Sequence, residues 1–290
     1  MASSIISFKD VVKSYGTKRA LDSISFGVKK GDIFGFLGPN GAGKTTSIRA
    51  MMDFVRPDRG EIKIAGLDSR TDAVKLKSKI GYLPADYYHY LGWTGQDHIR
   101  FVAKLRGVEV SSKYVNLLEF NSRTRVKHLS TGNRQKLAII LALIGDPTIL
   151  ILDEPTRGLD PMLQNQIYDI LRDFRSGGGT VFMSSHNLSE VEKVCDSIAV
   201  IREGKLVVEE TLQSLREKSI HHVNVLFGRP VRAKEFEQGT IKVLSSTPRS
   251  VSLRVQGDIG PVIHLLGRYH IKDIEVAHAS LEELFLELYK

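Results

Sequence analysis

The stretch GPNGAGKT, residues 38 to 45, decides which fold this chain adopts. Its three glycines let the backbone curl so that successive amides point at phosphate oxygens, and the helix that begins there adds the positive end of its dipole. Lys44 is placed to bridge the β and γ phosphates of a nucleotide, and the Thr45 hydroxyl is placed to bind magnesium. Because the stretch follows an apolar run at 32–37 and opens a helical pattern, the sequence predicts a nucleotide-binding α/β domain. We expect nucleotide contacts along the whole loop, at Gly38, Pro39, Asn40, Gly41, Ala42, Gly43, Lys44, Thr45 and Thr46.

A second stretch, ILILDEP at residues 149 to 155, ends a predicted buried strand with two acids. A carboxylate in that place can reach a magnesium ion held by Thr45, and we assign this role to Asp153. Glu154 is placed to accept a proton from the attacking water as a general base. The alternative, in which the two acids only end the strand, is disfavoured by the phosphate-binding loop upstream. The guanine-reading motif NKxD does not occur in the sequence, which disfavours a GTPase.

The composition is that of a folded globular protein, since 290 residues with 42% apolar and 26% charged side chains suffice for one large domain or two smaller ones. Cys195 is the only cysteine, which excludes an intramolecular disulfide and a four-cysteine metal site and fits a reducing cytosol. The nearest candidate for a membrane span, 137–152, is interrupted by Gly-Asp-Pro, so we interpret it as a buried helix followed by a buried strand. The net charge of +8 indicates an anionic neighbour, which the composition does not identify: a nucleotide, a nucleic acid or a lipid surface.

Hydrophobic periodicity predicts the secondary structure of the first two thirds of the chain. Unbroken apolar runs at 33–37, 149–152 and 180–183 are typical of strands buried on both faces of a parallel sheet. Alternating patterns near residues 24–28 and 62–64 predict half-exposed antiparallel strands. Helical patterns occur at 44–54, 94–106, 133–144, 161–174 and 188–195. Thr94 and Asp97 have the spacing of a capping box at the start of the second of these helices.

The pattern changes after residue 215. The sequence then predicts three short strands, followed by a helix at 261–269, a strand at 271–276 and a final helix from Ser280. Ser280 and Glu283 have the spacing of a capping box. We therefore predict a domain over 1–215 and a small α+β domain over 216–290. His221 and His222 are interpreted as ordinary surface residues.

Further motifs carry a resemblance to a known family. LSTGNRQ at 129–135 resembles the signature motif LSGGQ of ATP-binding cassette (ABC) transporters, and it lies one helix upstream of ILILDEP, as in that family. TRGLDP at 156–161 resembles the aspartate loop, with Asp160. His186 resembles the switch histidine, and Tyr15 matches the aromatic residue that stacks on adenine. From residue 5 to about 210 the chain resembles the nucleotide-binding subunit of an ABC transporter, in particular the ATPase subunits of drug, peptide and ion exporters.

This resemblance implies a P-loop NTPase cassette with a mixed sheet, an antiparallel β subdomain and a helical subdomain at about 86–145. It implies an ATPase that uses ATP and Mg²⁺, with Thr45 and Asp153 as metal ligands. The implied catalytic residues are Lys44, Glu154 and His186. Four further residues are implied to act in trans, on ATP bound to a second subunit: Ser130, Thr131, Gly132 and Asp160.

The resemblance also implies partners and a location. A second ATP-binding subunit, identical or different, pairs head to tail with this one, and an integral membrane transporter subunit resides on another chain. The expected location is cytoplasmic, peripheral on the inner face of the cell membrane, and no nucleic acid is expected as a partner. The final stretch ASLEELFLELYK resembles exporters, so outward transport is favoured.

The sequence departs from the family pattern in several places. Ala85 stands where a glutamine is expected, and Asp86 is the nearest residue able to replace it. Thr131 replaces a glycine and Asn133 a glutamine in the signature stretch, while Arg157 replaces a serine. The segment 107–129 is short, which predicts a trimmed helical subdomain.

Two other functions stay open on the sequence. One is a soluble cassette ATPase acting on nucleic acid or ribosomes, although such relatives usually carry two cassettes or a coiled-coil insertion, and this chain has one cassette and no heptad run. The other is a regulatory nucleotide sensor with slow hydrolysis, which Ala85 and the appended domain would permit.

Overall fold

The computed structural model describes residues 4–217 and 220–278. Its contacts divide the chain into a first unit, Met1–Glu209, and a second unit, Glu210–Lys290. The predicted boundary after residue 215 falls inside a helix, Leu212–Glu217, that belongs to the second unit.

The strands and helices of the first unit follow the predicted alternation. Its strands are β1 (Ser4–Tyr15), β2 (Lys18–Lys29), β3 (Ile33–Leu37), β4 (Arg59–Ile64), β5 (Leu67–Asp68), β6 (Ile80–Leu83), β7 (Ile149–Asp153), β8 (Thr180–Ser185), β9 (Ser197–Arg202) and β10 (Lys205–Thr211), whose last two residues lie beyond the unit boundary. Its helices are α1 (Lys44–Met51), α2 (Ala73–Lys79), α3 (Gly95–Arg106), α4 (Lys113–Leu117), α5 (Thr131–Leu143), α6 (Pro161–Ser176) and α7 (Leu188–Val194), with a 3-10 turn at Val126–His128. The periodicity analysis missed α2 and α4, which are both short.

A six-stranded sheet in the order β10-β9-β3-β8-β7-β6 carries the centre of the first unit. The pairs β9-β3, β3-β8, β8-β7 and β7-β6 are parallel, and every residue of β3, β7 and β8 is buried, as the unbroken apolar runs predicted. Leu37 lies beside Ser185, and Asp153 lies beside Ser184. The carboxyl ends of three neighbouring strands therefore meet at one edge of the sheet, where open α/β sheets bind their ligands.

An antiparallel sheet in the order β2-β1-β4-β5 packs against this central sheet. The inward side chains of β2 alternate with exposed ones, and Phe26 stacks on Phe8 at 4.4 Å and on Phe34 of β3 at 5.7 Å between ring centroids. Such aromatic stacks add specific geometry to a large buried apolar area. The mixed sheet and the antiparallel sheet expected for a cassette ATPase are both present.

Helices α3, α4 and α5 lie within the region predicted as the helical subdomain. Thr94 accepts a hydrogen bond from the Asp97 amide at 3.1 Å, and the Asp97 carboxylate accepts one from the Thr94 amide at 2.9 Å, so the predicted capping box is present. The apolar segment 137–152 divides into the end of α5 and the strand β7, as the sequence predicted. No helix in the described part of the chain has the length and hydropathy needed to cross a membrane.

The second unit contains α8 (Leu212–Glu217), β11 (Ile220–Phe227), a 3-10 turn at Ala233–Phe236, β12 (Ile241–Ser246), β13 (Ser250–Gln256), α9 (Gly260–Leu266) and β14 (Ile271–His278). Its sheet has the order β12-β13-β11-β14, with antiparallel pairing throughout, and its core includes Val223, Leu253 and Val262. His221 is buried, which corrects its interpretation as a surface residue, because it lies on the same face of β11 as the core residues Val223 and Val225. The predicted helix from Ser280 lies outside the described residues.

Cys195 packs against the central sheet, where a methyl group on Gly35 would lie 2.9 Å from its sulfur. Burial raises the pKa of the Cys195 thiol well above 9.0, so little reactive thiolate forms at neutral pH. We expect iodoacetamide to label the native protein at least about tenfold more slowly than the guanidinium-unfolded chain, as followed by mass spectrometry. Equal labelling rates in the two states would contradict this packing role.

Candidate functional site

The phosphate-binding loop connects β3 to α1 at the carboxyl edge of the sheet. Gly41 and Gly43 have φ angles of 78° and 117°, a region that side-chain-bearing residues avoid. A Cβ atom on Gly38 would lie 2.3 Å from the carbonyl oxygen of Ile201, so this position needs glycine for close backbone approach. The predicted loop conformation therefore requires glycine at three positions, at two of them for a positive φ and at the third for close packing against the backbone.

A cleft of about 340 Å³ opens over this loop. It brings together eight of the predicted site residues: Tyr15, Asn40, Gly41, Gly43, Lys44, Thr45, Thr46 and Glu154. The side chain of Ala42 is 97% buried and does not line the cleft, because it packs into the core of the unit. Ala85 and Asp86 line the cleft as well, so the departure from glutamine at position 85 lies directly at the candidate site.

Lys44 is buried and is held by its own loop. Its Nζ atom donates to the carbonyl oxygens of Gly38 at 2.6 Å and Pro39 at 3.3 Å, and it lies 3.4 Å from Glu154 Oε1. An incoming phosphate would exchange these partners for charge-assisted hydrogen bonds to its own oxygens. The Lys44 ammonium group is thus already positioned at the phosphate-binding loop before a nucleotide binds.

Asp153, at the end of β7, is 99% buried. Its Oδ1 atom accepts a hydrogen bond from Ser184 Oγ at 2.5 Å, while Oδ2 has no hydrogen-bond partner in the described part of the chain. Burial, reinforced by the charge of Glu154, raises the pKa of the Asp153 carboxyl above 3.8, against opposing effects of Ser184, Thr45 and Lys44. A buried carboxylate oxygen without a partner is expensive unless a proton or a cation meets it.

These oxygens fit Mg²⁺, which prefers hard oxygen ligands and is usually held by one or two protein groups together with phosphates and water. Thr45 and Asp153 are such groups, and they are close enough for the Thr45 hydroxyl to lower the pKa of the Asp153 carboxyl by hydrogen bonding. The described residues contain no cluster of three or more histidine, cysteine or acidic side chains able to hold a metal ion without a nucleotide.

Glu154 follows β7 with a positive φ of 51°, which turns its side chain toward three cationic or ionisable neighbours. Its Oε1 atom lies 3.4 Å from Lys44 Nζ and 3.3 Å from His186 Nδ1, and its Oε2 atom lies 3.8 Å from Arg157 Nε. Its amide donates to Ser184 Oγ at 3.0 Å. The carboxylate is therefore oriented by groups from three separate segments.

Two positioning residues escaped the sequence analysis. Ser184 bonds both Asp153 and Glu154, and its only sequence signal is a hydroxyl at the end of an apolar strand. Glu190 is buried and accepts a hydrogen bond from Ser185 Oγ at 2.5 Å, and Ser185 Oγ accepts one from the Asn187 amide at 2.9 Å. This network shapes the turn on which His186, 51% exposed, reaches Glu154.

The signature stretch begins a helix, but not at this cleft. Ser130 caps α5 by accepting a hydrogen bond from the Asn133 amide at 3.3 Å, and Asp160 caps α6 by accepting one from the Leu163 amide at 3.0 Å. A Cβ atom on Gly132 would lie 3.3 Å from Leu163 Cδ2, so the two helix starts are neighbours. Ser130, Thr131, Gly132 and Asp160 are absent from the described lining of the cleft over the chain's own phosphate loop.

The fold and the cleft together define a P-loop NTPase of the cassette type. The family model described as ABC transporter matches residues 21–157. The chain is 33% identical to "Uncharacterized ABC transporter ATP-binding protein YhcH" of Bacillus subtilis over 98% of this chain and 96% of that protein. It is 30% identical to "Nod factor export ATP-binding protein I" of Rhizobium etli over 99% of this chain and 94% of that protein. A solved ATP-binding subunit of an ABC transporter superposes with a TM-score of 0.67 at 27% identity, over 73% of this chain and 92% of that one.

The chain belongs to the ABC transporter family as an ATP-binding subunit, and such subunits are ATPases coupled to transport.

Proposed function

We propose that this chain binds and hydrolyses ATP to power an exporter, and that it does so by pairing head to tail with a second ATP-binding subunit. One observation carries the proposal. Lys44 and Glu154 line the phosphate-loop cleft and His186 contacts Glu154, whereas the helix starts at Ser130 and Asp160 lie outside the described lining. A helix start with free amides favours an anion, so each chain offers one such surface to ATP held by another copy.

The residues of the cleft suit direct hydrolysis. Lys44, released from the Gly38 and Pro39 carbonyls, donates to the β and γ phosphate oxygens. Glu154 accepts a proton as water oxygen bonds to the γ phosphorus and the bond to the bridging oxygen breaks. His186 contacts Glu154 Oε1, the oxygen that Lys44 also approaches, and is placed to contact the γ phosphate. Thr45 and Asp153 would hold Mg²⁺, which would neutralise charge on the phosphates when bound.

Export is supported by the similarity to the Nod factor export protein, which covers both units of this chain. The working complex then includes an integral membrane transporter subunit on another chain, with this subunit on the inner face of the membrane. Ala85 cannot supply the contact to magnesium or water that a glutamine would make, and Asp86, which also lines the cleft, is the nearest side chain able to supply it.

A mixing experiment tests the shared site. Lys44→Ala removes the phosphate lysine, and Ser130→Glu places a carboxylate against the phosphate of the paired chain; each variant alone should be inactive. Mixed one to one, half of the dimers contain one intact site out of two, so we expect about a quarter of the wild-type ATPase rate per chain if the two sites work independently. The rate is measured by phosphate release.

Two controls make the result decisive. Lys79→Ala, remote from the phosphate loop, keeps both halves of the site, so its one-to-one mixture with Ser130→Glu should give about half of the wild-type rate per chain. A chain that carries both Lys44→Ala and Ser130→Glu should stay inactive when it pairs with itself, because both changes then fall on each of the two sites. A mixture that stays inactive, together with turnover that is unchanged on extreme dilution of the wild type, would overturn the proposal of paired copies.

A further inference from the structure

The second unit contains a cavity of about 660 Å³ that no part of the ATP reaction uses. It is lined by the segments 227–232 and 268–270 and by Glu235. Ligand pockets for small molecules typically measure about 300–1,000 Å³, so the cavity has the size of a small-molecule site.

The floor of the cavity is aromatic and well packed. The Tyr269 ring lies 5.0 Å from the Phe236 ring and 5.7 Å from the Phe227 ring between centroids, and both phenylalanines are buried. The Tyr269 hydroxyl donates to Glu235 Oε2 at 2.9 Å. Packing and this hydrogen bond hold the floor and the Glu235 carboxylate in place before any ligand arrives.

Gly228 lets the His270 ring lie close to the backbone at the rim of the cavity. Its amide donates to the carbonyl oxygen of His270 at 2.8 Å, and a Cβ atom at position 228 would lie 2.1 Å from His270 Nδ1. Only glycine therefore lets the His270 ring stand at the edge of the cavity in this orientation.

The walls carry an excess of positive charge. Arg229, Arg232 and Arg268 line the cavity, and within residues 4–217 and 220–278 none of their guanidinium groups forms an ion pair. The only acid of the lining, Glu235, accepts its hydrogen bond from Tyr269. Three guanidinium groups against one carboxylate leave two positive charges without a counter-charge.

We propose that this cavity binds a phosphate-bearing small molecule or headgroup, at a site distinct from the ATP cleft. A phosphate monoester carries about −1.5 to −2 charges at neutral pH, which matches the two uncompensated positive charges of the cavity. A single carboxylate would neutralise only one of them. Guanidinium groups recognise phosphate oxygens through paired N–H donors. The remaining volume and the Tyr269 edge accommodate the organic part of the ligand.

The test is titration of the full-length protein with inorganic phosphate, followed by backbone amide NMR with saturating ADP in the ATP cleft. We expect shifts in residues 227–232 and 268–270, and about tenfold weaker binding at this site for Arg232→Gln and for Arg268→Gln, because a hydrogen bond to a charged group is lost. Arg268→Lys keeps the charge and loses the paired donors, so it should weaken binding as well. Arg249→Gln, an exposed arginine of the same unit outside the cavity, is the matched control.

Two arms identify the source of the phosphate. Glycerol phosphate should compete with inorganic phosphate if the ligand is free, and vesicles containing phosphatidic acid should co-sediment the wild type but not Arg232→Gln if it is a lipid headgroup. Phosphate-induced NMR shifts confined to residues 38–45 would overturn the proposal, because the anion would then bind only in the ATP cleft. Equal weakening of binding by Arg249→Gln and Arg232→Gln would also overturn it, because that result indicates unspecific charge attraction. Gly228→Ala should weaken binding through displacement of His270 while all three arginines remain.

Discussion

Glutamine in place of Glu154 is expected to lower kcat for ATP hydrolysis by about 10²–10⁴-fold, the usual contribution of a general base. The amide keeps the size and the left-handed backbone position of the glutamate but cannot accept the proton of the attacking water. ATP affinity should change little, because Lys44 and the loop amides remain. The measurement is steady-state phosphate release beside equilibrium binding of a fluorescent ATP analogue.

The same variant should accumulate ATP-dependent dimers, since the nucleotide that joins the two chains is no longer cleaved. Analytical ultracentrifugation with Mg²⁺ and ATP follows this. Glu203→Gln is the matched control, because Glu203 is an exposed glutamate with the same φ of 51° and lies outside the cleft. Undiminished turnover in Glu154→Gln would remove Glu154 from the reaction, and monomers at saturating ATP would contradict the shared site.

Asparagine in place of Asp153 should lower ATPase activity by at least about 10²-fold while making the nucleotide-free protein more stable, by about 1–3 kcal/mol. The activity falls because a neutral amide is a poor ligand for Mg²⁺. The stability rises because the buried Oδ2 atom, which has no partner in the described chain, no longer carries charge. Phosphate release measures the activity, and thermal unfolding measures the stability. The stabilisation by Mg²⁺ and ATP should be smaller in the variant.

The stability gain should depend on pH in a defined direction. The pKa of the Asp153 carboxyl is raised above its ordinary 3.8 in the folded state, so as pH rises the unfolded chain loses this proton first. Between the two pKa values the folded state binds more protons, and its stability falls with rising pH. The difference in Tm between Asp153→Asn and the wild type should therefore be small near pH 3.8 and reach its full size once the pH exceeds the raised pKa.

Asp146→Asn provides the control for this series, since Asp146 is an exposed aspartate at a left-handed position that asparagine tolerates. It should leave activity and the pH dependence of Tm unchanged. A destabilised Asp153→Asn protein with normal Mg²⁺ dependence would show that the carboxylate has a structural role only.

Much of the fold and of the site follows from local sequence. Buried strands such as β3 and β7 can be predicted from the sequence because a strand covered on both faces must be apolar along its whole length. The capped helix starts at Ser130 and Asp160 are readable because side-chain oxygens of this kind satisfy free amides of the first turn. The phosphate loop is readable because its glycines, lysine and hydroxyl act on one ligand within eight residues.

Other features depend on which segments become neighbours in space. Ser184 reaches Asp153 only because β8 lies beside β7, and 31 residues separate the two. His221 is buried because its face of β11 packs against the core of the second unit, and the basic cavity forms only when 227–232 meets 268–270. A sequence pattern indicates which side chains of one segment face the core and which face solvent. The partners of a side chain across strands are decided by long-range pairing, so the orientation of Glu154 and the second candidate site are properties of the tertiary structure alone.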